Sequence, residues 1–262
     1  MPALPYDWSA KEACDAYEKT WEISRREVHY GWLSPGENTL RLLEDVPERS
    51  KALDVGCGMG ENIVALHRLK LDAYGLDLSS YMVRKARRTL REEGMESKSY
   101  GLRKRVRQCD ARAFASEFRT KFDVVLAVYS LEFFKDIQEF RKAISEITKG
   151  MVGGGTFVLC ISHPTTHPDY PRIKNETELV GTSSVPLLMY SIRDVVQTLC
   201  EEKLVVERVI EQQTRRPSRL TYEEAGQFPY HFREGKNPFS PLFDDLNDKN
   251  PHTLIYRTRK ES

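Results

Sequence analysis

The sequence predicts a doubly wound α/β fold with a mostly parallel, seven-stranded sheet, and two observations support that prediction. Between residues 51 and about 162, short apolar strands alternate with helical segments, the order that crossover connections between parallel strands require. A further helix and two strands then follow, and we expect these two strands to form an antiparallel pair at the sheet edge, with the last strand antiparallel.

Two helices are predicted before the first strand. Ser9 with Glu12, and Ser34 with Glu37, have the spacing of capping boxes, in which side chains satisfy the first free amides of a helix. We therefore expect residues 1–48 to form an N-terminal helical cover.

Five strands are predicted in the alternating region. Asp136, with Glu139 three residues later, begins the clearest helix between them, and Ser191 begins another helix after the fifth strand. The predicted strands are KALDVG (51–56), DAYGLDL (72–78), RVRQCDA (105–111), FDVVLAVYS (122–130) and GTFVLCIS (155–162), then the end of SIRDVVQTLCEEKLVVERVIEQQ (191–213) and PHTLIYRTRK (251–260).

Two irregular stretches interrupt the main domain, which we assign to residues 49–262. They lie at about 163–190, which is rich in proline, and at 214–250, where aromatic residues stand among Pro, Gly and Asn. Long irregular segments in a compact domain are typically lids or binding loops. We expect both to help enclose a ligand; packing of their aromatic side chains onto the core is the alternative.

The charge balance argues against a polyanionic partner. The chain has 40 basic and 39 acidic residues, a formal net charge of +1. Such a chain has no overall field that would attract nucleic acid, so none is expected as a partner. The basic runs at 84–91 and 103–107 are interpreted as solvated helix surface, because Glu92, Glu93 and Glu96 lie close by.

Cysteine usage and the N-terminal sequence indicate a reducing compartment. The five cysteines are scattered and include no C-x-x-C pair, which argues against a disulfide framework or a cysteine-rich zinc site. The N-terminal segment lacks the pattern of a signal peptide, and no apolar run reaches membrane-spanning length. We expect a soluble, cytoplasmic protein with no membrane contact; the oligomeric state is left open.

A glycine-rich turn, GCGMG at 56–60, follows the first strand directly. Such turns let a ligand approach the backbone closely, and both a nicotinamide dinucleotide and S-adenosylmethionine suit them. The dinucleotide pattern is G-x-G-x-x-G, whereas here the glycines run G-x-G-x-G with Glu61 next, an unfavourable charge for a pyrophosphate. A ligand with one ammonium and one carboxylate group fits better: Asp54 would bind the first, and the amides around Cys57 and Gly58 the second.

Two further aspartates end the next two strands. Asp77 is positioned to accept hydrogen bonds from both ribose hydroxyls, a role shared with nicotinamide enzymes. Asp110 and the amide of Ala111 are suited to the amino group and ring nitrogen of adenine; helix capping by Asp110 is the alternative.

The segments ALDVGCGMGEN, YGLDLS, QCDARAF and FDVVLAVYSLEFF, in this order and at these separations, resemble the successive motifs of class I S-adenosylmethionine-dependent methyltransferases. The resemblance covers about residues 50–162 and implies a Rossmann-like fold with S-adenosylmethionine as cofactor. It departs at SLEFF, where Glu132 and Phe133 stand near a position at which relatives often have histidine. The cofactor-binding residues it implies are Gly56, Cys57, Gly58 and Gly60 under the methionine moiety, Asp77 at the ribose, Leu78, Asp110 and Ala111 at adenine, and Val128 and Tyr129 beside the methionine chain.

Three histidines are candidates for acceptor chemistry. His163 follows the fifth strand at the edge where ligands of this fold class bind, and His167 lies four residues on, so either could act as a general base. A structural role for these histidines remains open. A metal site is not expected, because Pro164 and Pro168 oppose the helix that would align both rings.

The segment EVHYGWLSP, residues 27–35, resembles the lid segments of small-molecule methyltransferases. The resemblance implies that His29, Tyr30 and Trp32 close over the methionine end of the cofactor or contact the acceptor; we assign His29 to catalysis and Tyr30 to cofactor binding. A packed turn is the alternative.

These observations predict methyl transfer to a small-molecule acceptor, with oxygen slightly preferred as the methylated atom because of the histidines. N- or C-methylation, and methylation of protein or RNA, remain as alternatives. A nicotinamide oxidoreductase is disfavoured by the glycine spacing and by Asp110. A non-catalytic binding module is disfavoured by the complete set of cofactor motifs.

Overall fold

The computed structural model describes residues 37–96, 101–164, 178–181, 186–212 and 253–262. The first predicted helix and the second irregular stretch, 214–250, lie outside the described residues, and so do His29, Tyr30 and His167.

Nine strands are present in this part of the chain. The five predicted strands of the alternating region are all confirmed, although the third is only three residues long and the fifth begins earlier than predicted. The strands are β1 Lys51–Val55, β2 Asp72–Asp77, β3 Val106–Gln108, β4 Phe122–Val128, β5 Met151–Ser162, β6 Glu178–Gly181, β7 Pro186–Met189, β8 Leu204–Gln212 and β9 Thr253–Lys260.

The helices alternate with the strands as predicted. Two short 3₁₀ turns, Ala111–Ala113 and Leu131–Phe133, follow β3 and β4. The α-helices are α1 Glu37–Arg41, α2 Glu61–Arg68, α3 Ser80–Glu92, α4 Leu102–Arg105, α5 Phe114–Glu117, α6 Ile137–Gly150 and α7 Ile192–Glu201. None of these helices combines the length and apolar character needed to cross a membrane.

Seven strands form one sheet in the order β3-β2-β1-β4-β5-β9-β8. Neighbours from β3 to β5 are parallel, whereas β9 is antiparallel to both β5 and β8, which confirms the predicted fold class. The strand order reverses between β1 and β4. In an open α/β sheet, the carboxyl ends of the strands at such a reversal form the ligand-binding crevice.

Two apolar clusters cover the two faces of this sheet. Helix α6 packs on one face through the predicted stripe, since Phe140, Ile144 and Ile147 are all fully buried. The side chain of Asp136 accepts the amide of Glu139 at 2.9 Å, as predicted for the helix cap. The Glu139 carboxylate, in contrast, accepts the amide of Lys135 at 3.2 Å, one residue before the position that a capping box predicts.

Part of the first irregular stretch is regular. Strands β6 and β7 pair as an antiparallel two-stranded sheet, so the expectation of irregular chain at these residues was wrong. The ring of Tyr190, just after β7, lies 4.4 Å from that of Phe140, and its hydroxyl donates to the carbonyl of Leu131. These contacts fix the end of the hairpin beside the turn that follows β4.

Candidate active site

The turn after β1 is held by backbone hydrogen bonds and by close packing. The amides of Gly56 and Cys57 both donate to the carbonyl of Leu76, each at 2.8 Å, which joins the turn to β2. Gly56 has a positive φ of 72°, and a Cβ at this position would lie 2.3 Å from the Cβ of Ser130. Gly60, with a φ of 93°, lies close to Ala86 of helix α3. Glycine is therefore required at 56 and 60 by neighbours within the protein.

Gly58 has different surroundings. Its φ is 49°, and no atom lies within 4 Å of the position that a Cβ would occupy. Its amide donates to Oδ2 of Asp77 at 2.9 Å. The amides of Cys57 and Gly58 thus both donate to acceptors within the unliganded protein, and their binding of the ligand's carboxylate stays a prediction.

Asp54 lies fully buried near the end of β1. Its Oδ1 accepts a hydrogen bond from the side-chain amide of Asn62 at 3.2 Å, whereas Oδ2 has no partner among the described residues. Burial raises the pKa of this carboxyl to about 7. A buried carboxylate oxygen without a donor is energetically costly, so a ligand's ammonium group is the kind of partner that fits it.

Asp77 lies at the end of β2 and is fixed by two amides. Oδ1 accepts from Ser79 at 2.8 Å and Oδ2 from Gly58, and burial raises the pKa of this carboxyl to about 6. Leu78, the next residue, has 49% of its surface exposed, and its carbonyl accepts from the side chain of Gln108. An oriented carboxylate beside an exposed apolar side chain suits a ribose and its base.

Asp110 caps the short helical turn that follows β3, which was the alternative to its predicted contact with adenine. Its Oδ1 accepts the amide of Arg112 at 2.8 Å, and the guanidinium of Arg112 contacts both carboxylate oxygens and Glu139. Burial alone would raise the pKa of Asp110, but hydrogen bonds from Arg112 lower it. Ala111 begins the 3₁₀ turn that Asp110 caps.

Val128 and Tyr129 end β4 in the crevice region. Tyr129 has a positive φ of 48°, and its amide donates to the carbonyl of Cys160 at 3.0 Å. Its hydroxyl hydrogen-bonds the hydroxyl of Thr253 at the start of β9, and burial raises the pKa of Tyr129 well above its ordinary value. The phenol therefore contacts β9, while Val128 is half-buried against the core.

His163 is the one proposed catalytic histidine within the described residues. It follows β5, is only 3% exposed, and its Nε2 lies 3.4 Å from a carboxylate oxygen of Glu211 on β8. A histidine beside a carboxylate can be held in one orientation, as both a structural residue and a general base require.

Glu132 is a buried acid in the same region, and no role was predicted for it from its position in the chain. It lies in the 3₁₀ turn after β4, is 4% exposed, and accepts the amide of Ser162 at the end of β5. Burial raises the pKa of Glu132 to about 7. An acidic residue within the apolar run LEFF was the available signal, but its burial depends on the hairpin and strands around it.

The buried acids Asp54 and Glu132 and the half-buried Asp77 share one electrostatic property. Burial raises the pKa of each, and none forms an ion pair with a lysine or arginine among the described residues. Desolvated carboxylates at the carboxyl ends of these strands favour a cationic ligand over a pyrophosphate. The described residues contain no cluster of three or more potential metal ligands.

The sheet order, the glycine turn at its reversal point and the acid at the end of β2 define a Rossmann-like cofactor-binding domain. Residues 53–159 match the family model described as a methyltransferase domain. Among curated proteins, the ubiquinone biosynthesis O-methyltransferase of Methylococcus capsulatus is 36% identical over 106 residues. That match spans 40% of this chain and 40% of the relative's length.

Solved structures share the fold over nearly the whole chain. An S-adenosylmethionine-dependent methyltransferase from Clostridium acetobutylicum superposes with a TM-score of 0.61 at 14% identity, covering 94% of this chain and 99% of that one. The N-methyltransferase NodS from Bradyrhizobium japonicum, solved with S-adenosyl-L-homocysteine, gives a TM-score of 0.57 at 16% identity with the same coverages, 94% and 99%. Residues 53–159 thus match a methyltransferase domain, and the chain shares its fold with solved S-adenosylmethionine-dependent methyltransferases.

Proposed function

We propose that the protein transfers the methyl group of S-adenosylmethionine to a small-molecule acceptor, with oxygen as the methylated atom. The observation that supports cofactor binding most directly is Oδ2 of Asp54, a buried carboxylate oxygen without a partner among the described residues. This atom would bind the ammonium group, and Asp77 would accept the ribose hydroxyls through its remaining lone pairs. Leu78 would pack against adenine.

The cofactor, when bound, supplies a methyl group that is already electrophilic, so the residues around it have a limited task. They must orient the acceptor, exclude water and remove a proton where the acceptor is a hydroxyl. His163 is our proposed base; Glu132, with its pKa near 7 and its position between the ends of β4 and β5, is the second candidate.

The remaining parts of the site are proposals from the sequence. His29, Tyr30 and His167 would contact the cofactor or acceptor from the N-terminal cover, residues 1–48, and from the first irregular stretch. We also propose that the irregular stretches enclose the acceptor and that the protein acts in the cytoplasm. The name of the Methylococcus capsulatus relative supports O-methylation, and that of the Bradyrhizobium japonicum structure keeps N-methylation as the second candidate.

Calorimetric titration with S-adenosylhomocysteine and with NADH tests the cofactor assignment. We expect binding of the first only, and at least about tenfold weaker binding in Asp77→Ala, which loses an acceptor for the ribose. Asp123→Ala is the matched control, because Asp123 also accepts a backbone amide, that of Lys51 at 2.8 Å, but at the amino end of β1. Preferential binding of NADH, or equal losses in both variants, would overturn the assignment.

An acceptor screen then tests the reaction. Conversion of S-adenosylmethionine to S-adenosylhomocysteine that depends on a low-molecular-weight hydroxyl compound would support the proposal. Conversion that depends only on protein or RNA substrates would overturn it in favour of the macromolecular alternative.

A further inference from the structure

The basic residues of this nearly neutral chain are unevenly distributed. Residues 80–107 contain ten basic and three acidic residues, whereas the rest of the chain contains 30 basic and 36 acidic residues. A local excess of seven positive charges therefore stands in a chain of net charge +1. From the sequence we expected solvated helix surface here, but a sequence does not show how these side chains are arranged in space.

The fold brings the two basic runs together around one cavity. Helix α3 and the segment leading into β3 enclose about 600 Å³ of open volume at the protein surface. We call this the basic groove; it is lined by Arg84, Arg87, Arg91, Glu96, Gly101, Leu102, Arg103 and Lys104. The three arginines of α3 stand at positions i, i+3 and i+7, so they form one row about 10 Å long.

The nearby acids neutralise the outer surface of α3 more than the groove. Arg88 pairs with Glu92 at 2.8 Å, outside the groove. Within the groove, Arg91 pairs with Glu96 at 2.6 Å. Arg84, Arg87, Arg103 and Lys104 form no ion pair with any carboxylate among the residues that the structure describes.

Arg87 is fixed in this arrangement. Its guanidinium donates twice to the carbonyl of Val106, at 2.7 and 3.2 Å, which fixes its orientation. Burial and the positive charge of Arg103 lower the pKa of Arg87. Like charges held close together without a counter-ion are unfavourable, and an anion bound between them relieves that repulsion.

We propose that the basic groove binds an anion with two or more linked phosphate groups. Arginine guanidinium groups are planar forks that match phosphate oxygens in pairs, and a row of arginines facing Arg103 and Lys104 can engage adjacent phosphates at once. The volume of about 600 Å³ is in the range of small-molecule sites. The source of the linked phosphates is either a free polyphosphate, such as a nucleoside triphosphate, or a short stretch of phosphodiester backbone.

The groove is separate from the methyl-transfer site. Gly101 and Leu102 precede β3, so they lie toward its amino end, whereas the cofactor residues follow the carboxyl ends of β1 and β2. A ligand in the groove is therefore an additional ligand rather than the cofactor.

Calorimetric titration of the full chain with inorganic tripolyphosphate at low ionic strength tests the proposal. The double variant Arg84→Ala/Arg103→Ala removes two exposed groove arginines and should weaken binding at least about tenfold. The matched control is Arg68→Ala/Arg88→Ala, which removes two exposed arginines that pair with Glu93 and Glu92 outside the groove. Binding in the control should stay within about twofold of the unaltered chain, apart from a small general charge effect.

Titration with S-adenosylhomocysteine provides the readout of folding for both variants, and its affinity should be unchanged. If the groove variant loses this binding as well, the pair Arg103→Gln/Lys104→Gln replaces it, with the same expected tenfold loss. Absence of tripolyphosphate binding to the unaltered chain, or equal losses in groove and control variants, would overturn the proposal.

A short single-stranded RNA oligonucleotide distinguishes the two sources of phosphate. Tighter binding of the oligonucleotide than of tripolyphosphate, lost in the groove variant and steeply weakened by salt, would identify a phosphodiester backbone. Binding of tripolyphosphate and ATP without the oligonucleotide would identify a free polyphosphate. Both outcomes support an anion site in the groove.

Discussion

The Cα of Gly56 and the side chain of Ser130 are packed so closely that a Cβ on Gly56 would lie 2.3 Å from the Cβ of Ser130. The hydroxyl of Ser130 also donates to the carbonyl of Val55 at 2.7 Å. These contacts join the turn after β1 to the turn after β4, at the point where the strand order reverses. The cofactor crevice is therefore built on a contact between two loops.

We predict that Gly56→Ala destabilises the protein and abolishes most cofactor binding. The added methyl group overlaps Ser130, and alanine is also strained at a φ of 72°. The expected loss in unfolding free energy is about 2–4 kcal/mol, measured by denaturant titration.

Two further variants separate these causes. Adding Ser130→Gly to Gly56→Ala removes the overlap but also the hydrogen bond from Ser130 to Val55, so the double variant is compared with Ser130→Gly alone and should be less stable by only about 1–2 kcal/mol of backbone strain. Gly58→Ala, which meets no atom within 4 Å, should show backbone strain alone. Equal stability of Gly56→Ala and Gly58→Ala would contradict the proposed role of the contact.

The alternation of strands and helices predicted the fold well because apolar periodicity is a local property of the chain. Register and loop structure depend on contacts that the sequence does not display. Strand β5 starts at Met151, four residues before the predicted start at Gly155, because Met151 pairs with Phe122 across an irregularity in the ladder. The β6–β7 hairpin was not predicted, because strands of four residues each are too short to show a clear apolar periodicity.

The candidate site was predicted less completely than the fold. The positions of Asp54 and Asp77 follow from strand ends, which the sequence indicates. The use of the Gly58 amide by Asp77, and the burial of Glu132, arise from tertiary packing. Sequence spacing could not have predicted either of them.

Cofactor binding should depend on pH through Asp54. Burial raises the pKa of this carboxyl to about 7, so in the free protein it is largely protonated at pH 6 and ionised at pH 8. An ammonium group binds the ionised form, so binding lowers the pKa of Asp54 and releases protons near pH 6.5. The affinity for S-adenosylhomocysteine should therefore rise as the pH increases from about 5.5 to 8.

Calorimetry in two buffers with different ionisation enthalpies measures this proton release directly. Asp54→Asn should bind more weakly at pH 8 and release fewer protons, and Asp123→Asn should behave like the unaltered chain. Burial raises the pKa of Asp77 to about 6, so this carboxyl accounts for the remaining pH dependence of the binding affinity at lower pH. Proton uptake on binding would have the wrong sign for an ionised Asp54.

The free energy of unfolding of the unliganded protein should fall as the pH rises, whereas the affinity for the cofactor product should rise. Burial raises the pKa of Glu132 from 4.5 to about 7, so the folded state binds this proton more tightly than the unfolded state does. Below pH 4.5 the carboxyl is protonated in both states, and its burial carries no ionisation cost. The free energy of unfolding then falls as the pH rises through about 7. The shift corresponds to a cost on the order of 3 kcal/mol at most at high pH.

Glu132→Gln should remove that cost while its side-chain oxygen still accepts the amide of Ser162. We expect the variant to gain about 1–3 kcal/mol of unfolding free energy at pH 8 and to change little at pH 4.5, as measured by denaturant titration. The exposed Glu117→Gln should change neither value. A loss of stability at pH 8 would mean that the ionised carboxylate is favoured in the folded protein.

The role of His163 can be separated from that of Glu132 by kinetics. If His163 removes the acceptor's proton, His163→Gln should lower kcat by about 100-fold or more with a hydroxyl acceptor, because general base catalysis typically contributes that much. Its affinity for S-adenosylhomocysteine should stay within about twofold, since Asp54 and Asp77 are unchanged. Glu211→Gln, which replaces the carboxylate 3.4 Å from the ring, should also lower kcat, by less than His163→Gln does, because it weakens the contact that orients the imidazole. If His163→Gln keeps normal turnover and Glu132→Gln loses it, Glu132 is the base, and the contact between His163 and Glu211 is structural.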